Sequence, residues 1–502
     1  MNDINNIVVI GAGTAGWLSA LYMRKILPKS KITVIGSKEI GILGAGEGTT
    51  PVFIKFLNLI DVNVHDLIRE CKSTVKLGIK FENWKLNKTG KYYHAFENSL
   101  KQASDTFNNE NELLNNIYFN LMSAAAIGDN ENAYQYSLHQ TLMELNRINM
   151  ETEMRMGAAV HFDAQLVAEF LKKISMLRNI SYVDDIVTTF EQDEDGFIKK
   201  IKTNNGIFNC DFVIDCSGFK RLIIGKLFET KWLDVSESLP VKRAIPFFLP
   251  PNKKLENYTS AIAMNHGWMW KIPLQHRYGC GYVFDPDSCS DSEAYEELQL
   301  KFGDIESPRT FQFSSGYYDK FWVKNCIAVG LSAGFLEPME ATSIHIAISS
   351  LQFFNQFIPS YVVNKDFDKS VPNNEFKTFF DVTRDFVQFH YLNKRADTIF
   401  WRKVNNGLMS EELKRLIDEF KHSVPRYLHV RGNPMYQEIN YLSIGLGIDF
   451  FSDEVLKESY NHAKINSYDL ENKKEKLKEV VFKKAYSFTS HNSFISRINN
   501  LK

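Results

Sequence analysis

The sequence predicts a mixed α/β fold, α+β overall: a parallel sheet assembled from separated stretches of chain, other elements interleaved between them, and a mainly helical C-terminal part. Three observations predict it. An apolar, β-branched run (NIVVI, 6–10) leads straight into Gly11-Ala12-Gly13-Thr14-Ala15-Gly16 and a helical pattern. Two further apolar runs ending in small residues follow far downstream, DFVIDCSG (211–218) and NCIAVGLSAGFLEP (325–338). From 360 to 502 the pattern turns polar and helical.

Residues 6–10 have the composition of a strand buried on both faces. After the glycine segment come WLSALYMRKIL, Pro28 and a second strand, KITVIG (31–36), which completes a β-α-β unit with G-x-G-x-x-G at the strand-to-helix turn. In that Rossmann-like context Gly11 permits the tight turn, Gly13 lets backbone approach a pyrophosphate, and Gly16 lets helix and strand pack closely. The helix start at Thr14 and Ala15 then faces the anion. The second strand ends Ile35-Gly36-Ser37, without the acidic residue that usually binds the ribose hydroxyls. The nearest carboxylates downstream are Glu39 and Glu47, the latter next to Gly46 in a Gly-rich loop, GILGAGEGTTP (41–51). Ser217 and Gly218 close the first downstream strand, and Gly330 and Leu336 follow the second. These segments assign a discontinuous nucleotide-binding module to 1–85, 155–225 and 310–360, with substrate-side elements and the helical part in 86–154, 226–309 and 361–502.

Composition narrows the function. With 59 Lys+Arg against 60 Asp+Glu the 502-residue chain has no global field for nucleic acid or an anionic membrane, and 44% hydrophobic content excludes disorder as the main state. No apolar stretch approaches membrane-spanning length, and the N-terminus is no signal peptide. The six cysteines are scattered, with no C-x-x-C or zinc-like spacing, so neither a disulfide framework nor a metal site is expected, and the predicted location is the cytoplasm. The 38 Phe, 21 Tyr and 7 Trp predict bulky cores or a pocket walled by rings. A Lys/Glu-rich stretch at 469–484 reads as a solvated helix face, with Leu470, Leu477 and Val481 at helical spacing on the other side.

Three segments could carry chemistry. In STVKLGIKFENW (73–84) apolar and polar residues alternate, which predicts one half-buried strand with Lys76 and Lys80 on the same face. On a solvent face these are ordinary surface lysines; lining a cavity, either is a positioned amine able to donate hydrogen bonds or act as a nucleophile. Downstream, FLEPMEATS (335–343) leads into a helix that starts near Thr342 and is expected to stop before Pro359, with Ile344, Ala347, Ile348 and Leu351 on one face. Its free N–H groups make an anion site beside Glu340, although a carboxylate there also simply satisfies the helix dipole. Finally, Trp268 and Trp270 in GWMWKIP face the same way on a strand, as core or as a rigid wall.

Together these residues resemble the flavin-dependent halogenases of the tryptophan-halogenase type. The Trp-x-Trp-x-Ile-Pro signature is present as Trp268, Trp270, Ile272 and Pro273, and the flavin fingerprint as Gly11, Gly13 and Gly16 followed by Trp17. The likeness extends through the loop at Gly44–Pro51, the strand around Lys76, HFDAQLVAEFL (161–171), DCSGF (215–219), FLEPME (335–340) and DVTRDF (381–386). The resemblance implies FAD, used as FADH2 from a separate flavin reductase, and a halide held near the backbone amides of Thr342 and Ser343. It implies hypohalous acid made at the flavin and carried through an internal tunnel to a catalytic lysine, which maps onto Lys76. It further implies an aromatic substrate, whose intermediate the family's glutamate, mapping onto Glu340, stabilises and deprotonates. His94 and Phe96 match positions flanking the indole, and the Trp pair would keep organic substrates off the flavin. The oligomeric state stays open, a homodimer among the options.

Two departures concern halide and substrate. Glu340-Ala341-Thr342-Ser343 stands where the family commonly reads Glu-Ser-Thr-Gly, which leaves the choice among chloride, bromide and iodide open. The Phe-Trp pair that grips the amino-acid backbone in tryptophan halogenases aligns with Asn433-Pro434, with Tyr436 and Glu438 as the nearest substitutes. The expected substrate is therefore indole, a substituted indole or another electron-rich arene, not free tryptophan. An aromatic hydroxylase on the same fold would need substrate access to the flavin and leaves Lys76 without a task. A non-catalytic FAD-binding protein leaves the lysine, the glutamate and the Trp pair unexplained.

Overall fold

The computed structural model describes residues 4–41, 44, 46–86, 90–96, 114, 116–148, 157–305, 309–433, 435–465 and 470–501. The chain divides into two compact units, Met1–Ser73 with Phe162–Ser236 and Ser314–Asp381, and Thr74–His161 with Glu237–Phe313 and Val382–Lys502. The first boundary falls before Thr74 and not at 85, because Gly78–Glu82 pairs with Lys91–Ala95 and Thr259–Ala263, all in the second unit.

The first unit is built on a six-stranded sheet in the order Trp322–Val323, Cys326–Ala328, Phe212–Asp215, Asn6–Ile10, Lys31–Gly36, Ile180–Asp184. All pairings are parallel except the first, so the strands need cover on both faces, and their side chains are almost wholly buried from 7 to 10 and 212 to 215. All three segments singled out by their strand-then-glycine pattern thus lie side by side in one sheet. Helix Thr14–Ile26 makes the first crossover. The helix begun at Thr342 runs to Val363 and does not stop before Pro359. Pro359 forfeits one backbone hydrogen bond, but two residues on Tyr361 is fully buried against Phe212 and Trp322, which holds the last turn in place.

The second unit contains a seven-stranded sheet in the order Phe311–Gln312, Arg243–Leu249, Tyr278–Phe284, Gly267–Pro273, Thr259–Ala263, Gly78–Glu82, Lys91–Ala95. Helix Asp291–Phe302 covers part of it, burying Ala294 and Leu298 with Ile245, Phe247, Met269, Tyr282 and Phe284. The C-terminal part is helical as expected, and helix Lys474–Tyr486 buries Leu477 and Val481 while its lysines stay outside the core. All six cysteines are free. Among the described residues no helix is long and apolar enough to cross a membrane.

Candidate active site

In the first unit the glycine positions are set by contact. Gly11 has φ +112°, and a Cβ there would lie 2.2 Å from the Cys216 carbonyl oxygen; one at Gly16 would lie 1.9 Å from the carbonyl oxygen of Gly11. Above Gly13 the space is open, with nothing within 4 Å. Helix Thr14–Ile26 has no side-chain cap and no acidic residue in its first turn, so the dipole end at Gly13, Thr14 and Ala15 meets no carboxylate of its own element. Gly330 packs against Ala15, and the Gly218 N–H donates to Ser332 Oγ at 2.9 Å, which joins the ends of the three strands. Asp215, fully buried, holds the turn after its strand by accepting from the N–H groups of Ser217, Ile223 and Ile224. Gly46 has φ +100°, and burial pushes the neighbouring Glu47 carboxyl up to about 7. Leu336 is buried. An uncapped helix start beneath an open glycine, bordered by backbone from two other strand ends, fits the pyrophosphate of a dinucleotide.

Glu340 does not sit in the helix that follows it. Glu340 and Ala341 have φ of +63° and +54°, two successive left-handed residues without a glycine, and the helix begins at Thr342 with Ala341 as an N-cap that offers no side-chain bond. Such conformations cost about 1–3 kcal/mol each and persist where surrounding structure imposes them. Glu340 is 4% exposed and Thr342 is buried, whereas Ser343 is half-buried. One turn on, His345 Nδ1 lies 3.2 Å from Thr50 Oγ1, and burial, then Lys55, brings its imidazole down to about 4. His345 is therefore neutral at pH 7 and adds no charge to the helix start.

In the second unit the predicted single strand at 73–84 is two strands. Thr74–Lys76 pairs with Ala159–His161, and Gly78–Glu82 belongs to the seven-stranded sheet. Leu77 between them donates its N–H to the Asn257 carbonyl and accepts from the Phe96 N–H. The break separates the two lysines: Lys80 is half-buried and pairs with Glu82, whereas Lys76 is fully buried, its Nζ 5.2 Å from the centre of the Phe96 ring. The structure thus sets Lys76 against the ring of Phe96, which follows strand Lys91–Ala95, whereas His94 on that strand is 4% exposed and packs on Phe386 and Asn440.

Two buried histidines brace the lysine strand. Thr74 Oγ1 donates to the Pro273 carbonyl at 2.6 Å and lies 3.0 Å from His161 Nδ1, whose Nε2 lies 2.9 Å from Thr259 Oγ1. The Val75 N–H donates to His491 Nε2 at 3.1 Å, and His491 Nδ1 lies 2.9 Å from the Leu255 carbonyl. Burial, with the Lys76 charge and His491 adding to it, holds His161 well below its ordinary range. Through Pro273 the lysine strand is tied to the strand Gly267–Pro273 that carries Trp268, Trp270 and Ile272. The two indoles stand 6.3 Å apart, and Trp270 lies across Gly281, where a Cβ would be 2.1 Å from its ring. His161 and Phe386 fall within quoted segments of the sequence without being singled out there, and His491, and Asn440 beside His94, carry no motif of their own. Tyr436 stacks on Phe386 with ring centres 3.8 Å apart; Pro434 lies outside the described residues.

One unit thus holds a loop-helix cradle of the kind that binds a dinucleotide, and the other a buried lysine beside an aromatic ring. The tryptophan halogenase family model matches residues 6–462. Similar curated proteins include tryptophan 7-halogenase KtzQ of Kutzneria sp. (strain 744), 31% identical with 91% of each chain covered. Another is tryptophan 7-halogenase RebH of Lentzea aerocolonigenes, 31% identical with 83% of this chain and 82% of that protein covered. Among solved structures, Xcc4156, a flavin-dependent halogenase from Xanthomonas campestris, matches with a TM-score of 0.84 at 26% identity, covering 99% of this chain and 98% of that one. BrvH, a flavin-dependent halogenase from Brevundimonas sp. BAL3, gives a TM-score of 0.84 at 25% identity, covering 99% and 100%. The chain belongs to the tryptophan halogenase family of flavin-dependent halogenases, and the use of FAD and halide follows from that membership.

Proposed function

We propose that this protein halogenates an electron-rich arene, of indole type, with hypohalous acid delivered by Lys76. The observation that carries the reading is the lysine itself: a fully buried ammonium beside the Phe96 ring, on a strand held by two neutral histidines. Burying a lysine amine is costly, and a buried one beside an aromatic ring is a positioned donor or nucleophile. FAD bound in the first unit and reduced by a separate flavin reductase would, with O2 as the oxidant, supply the two-electron oxidising equivalent that turns halide into hypohalous acid. Gly11, Gly13, Thr14, Ala15, Gly16, Gly46, Glu47, Ser217, Gly218, Gly330 and Leu336 would hold it, and the amides of Thr342 and Ser343 would hold the halide.

Lys76 Nζ hydrogen-bonds hypohalous acid, or forms a haloamine with loss of water, and so presents an electrophilic halogen to the arene. His94 and Phe96 flank the ring that attacks it. The cationic intermediate then loses a proton to the Glu340 carboxylate, which restores aromaticity. Trp268, Trp270, Ile272 and Pro273 keep the arene away from the flavin. Asn433-Pro434 stands where tryptophan halogenases carry the Phe-Trp pair that grips the amino-acid backbone, which supports indole or a substituted indole over free tryptophan.

The test is a product screen. The protein is incubated with FAD, a flavin reductase, NADH, oxygen and chloride, bromide or iodide over a panel of indoles, phenols and free tryptophan, and product masses are read. Replacement of hydrogen by the supplied halogen supports the reading; a halide-independent gain of one oxygen makes the protein a hydroxylase.

A further inference from the structure

The side-chain amide of Asn440 has one orientation. Asn440 is the third residue of helix Glu438–Gly447, and its Oδ1 accepts the Gln437 N–H at 2.7 Å as half of a capping box. A backbone N–H only donates, so the oxygen faces Gln437 and the NH2 group faces the other way. There its Nδ2 lies 3.0 Å from His94 Nε2. An amide nitrogen also only donates, so His94 Nε2 is the acceptor and the ring proton sits on Nδ1. His94 lies on strand Lys91–Ala95 opposite Ile79, and its ring packs 5.6 Å from that of Phe386.

We propose that Asn440 is a positioning residue of the substrate site, fixing the His94 tautomer so that the ring carries its N–H at Nδ1 and only accepts at Nε2. The proposal rests on the reading that His94 flanks the arene. A helix cap thereby sets the polarity of a side chain in the halogenation site. Without it the ring could present either nitrogen as donor.

Asn440→Asp tests this selectively, because a carboxylate still accepts the Gln437 N–H and so keeps the cap, but can only accept from His94. In the wild-type protein, 15N NMR of the His94 ring is expected to show a protonated Nδ1 and an unprotonated Nε2. In Asn440→Asp, Nε2 becomes protonated, and kcat/KM for the arene falls about tenfold or more while FAD affinity holds. A protonated Nε2 in the wild type overturns the proposal, even if the variant fails to fold. So does an inverted tautomer that leaves kcat/KM unchanged. A wild type that turns over no arene with any halide overturns the halogenase reading instead, and the NMR arm still decides whether Asn440 sets the tautomer.

Discussion

Replacing His491 by glutamine removes a buried group whose protonation state the fold dictates. His491 is fully buried, its Nε2 accepts the Val75 N–H, and burial brings its imidazole down to about 4. A proton on Nε2 would set N–H against N–H next to Lys76. In the unfolded chain the ring titrates near 6.5, so the unfolded state binds the proton first as pH falls, and stability present above about 6.5 is lost progressively down to about 4. A separation of about 2.5 pH units corresponds to about 3 kcal/mol. Glutamine can accept the Val75 N–H without titrating, at a cost of about 1 kcal/mol at pH 7 for poorer geometry. Urea unfolding followed by tryptophan fluorescence at pH 7, 6, 5 and 4 should therefore show the wild type more stable at pH 7. The variant should gain on it by about 3 kcal/mol by pH 4. Hydrogen exchange at the Val75 amide gives the local counterpart. A stability difference that does not change with pH would refute the assignment of His491 as the neutral acceptor of Val75.

Other consequences follow from the two units. Gly16→Ala puts a methyl 1.9 Å from the Gly11 carbonyl oxygen, so FAD affinity by fluorescence titration and Tm should both fall, the overpacking costing about 1–3 kcal/mol or more. Because the Glu47 carboxyl titrates at about 7, it is neutral below that pH and anionic above it, where it would repel a pyrophosphate. FAD should bind more weakly at pH 8 than at pH 6, and Glu47→Gln should abolish the difference. Glu340→Gln should lower arene turnover by about two orders of magnitude with FAD oxidation intact; near-normal product formation would remove it from the reaction.

The nucleotide-binding half was legible because its signals are local. A β-branched run before G-x-G-x-x-G, and apolar runs closed by Ser217-Gly218 and Gly330, announce strand ends within a few residues, and five of the six strands of that sheet pair in parallel. What escaped was set by distant partners. The alternation at 73–84 is real, but Leu77 bonds to Asn257 and Phe96, and these contacts break the strand between Lys76 and Lys80. Helix Thr342–Val363 passes Pro359 because Tyr361 is buried on a strand more than a hundred residues earlier in the chain. The left-handed pair Glu340-Ala341 has no glycine or asparagine to announce it, and Asn440 and His491 reach His94 and Val75 across 346 and 416 residues of sequence.

The measurement that bears most directly on the role of Lys76 compares wild-type protein with Lys76→Ala under FAD, flavin reductase, NADH, oxygen and bromide, following halogenated arene and NADH consumption together. Lys76→Ala is expected to go on consuming NADH and oxidising flavin while halogenated arene disappears. A variant that still halogenates the arene at a substantial rate would contradict that role, because the halogen would then reach the ring without this amine.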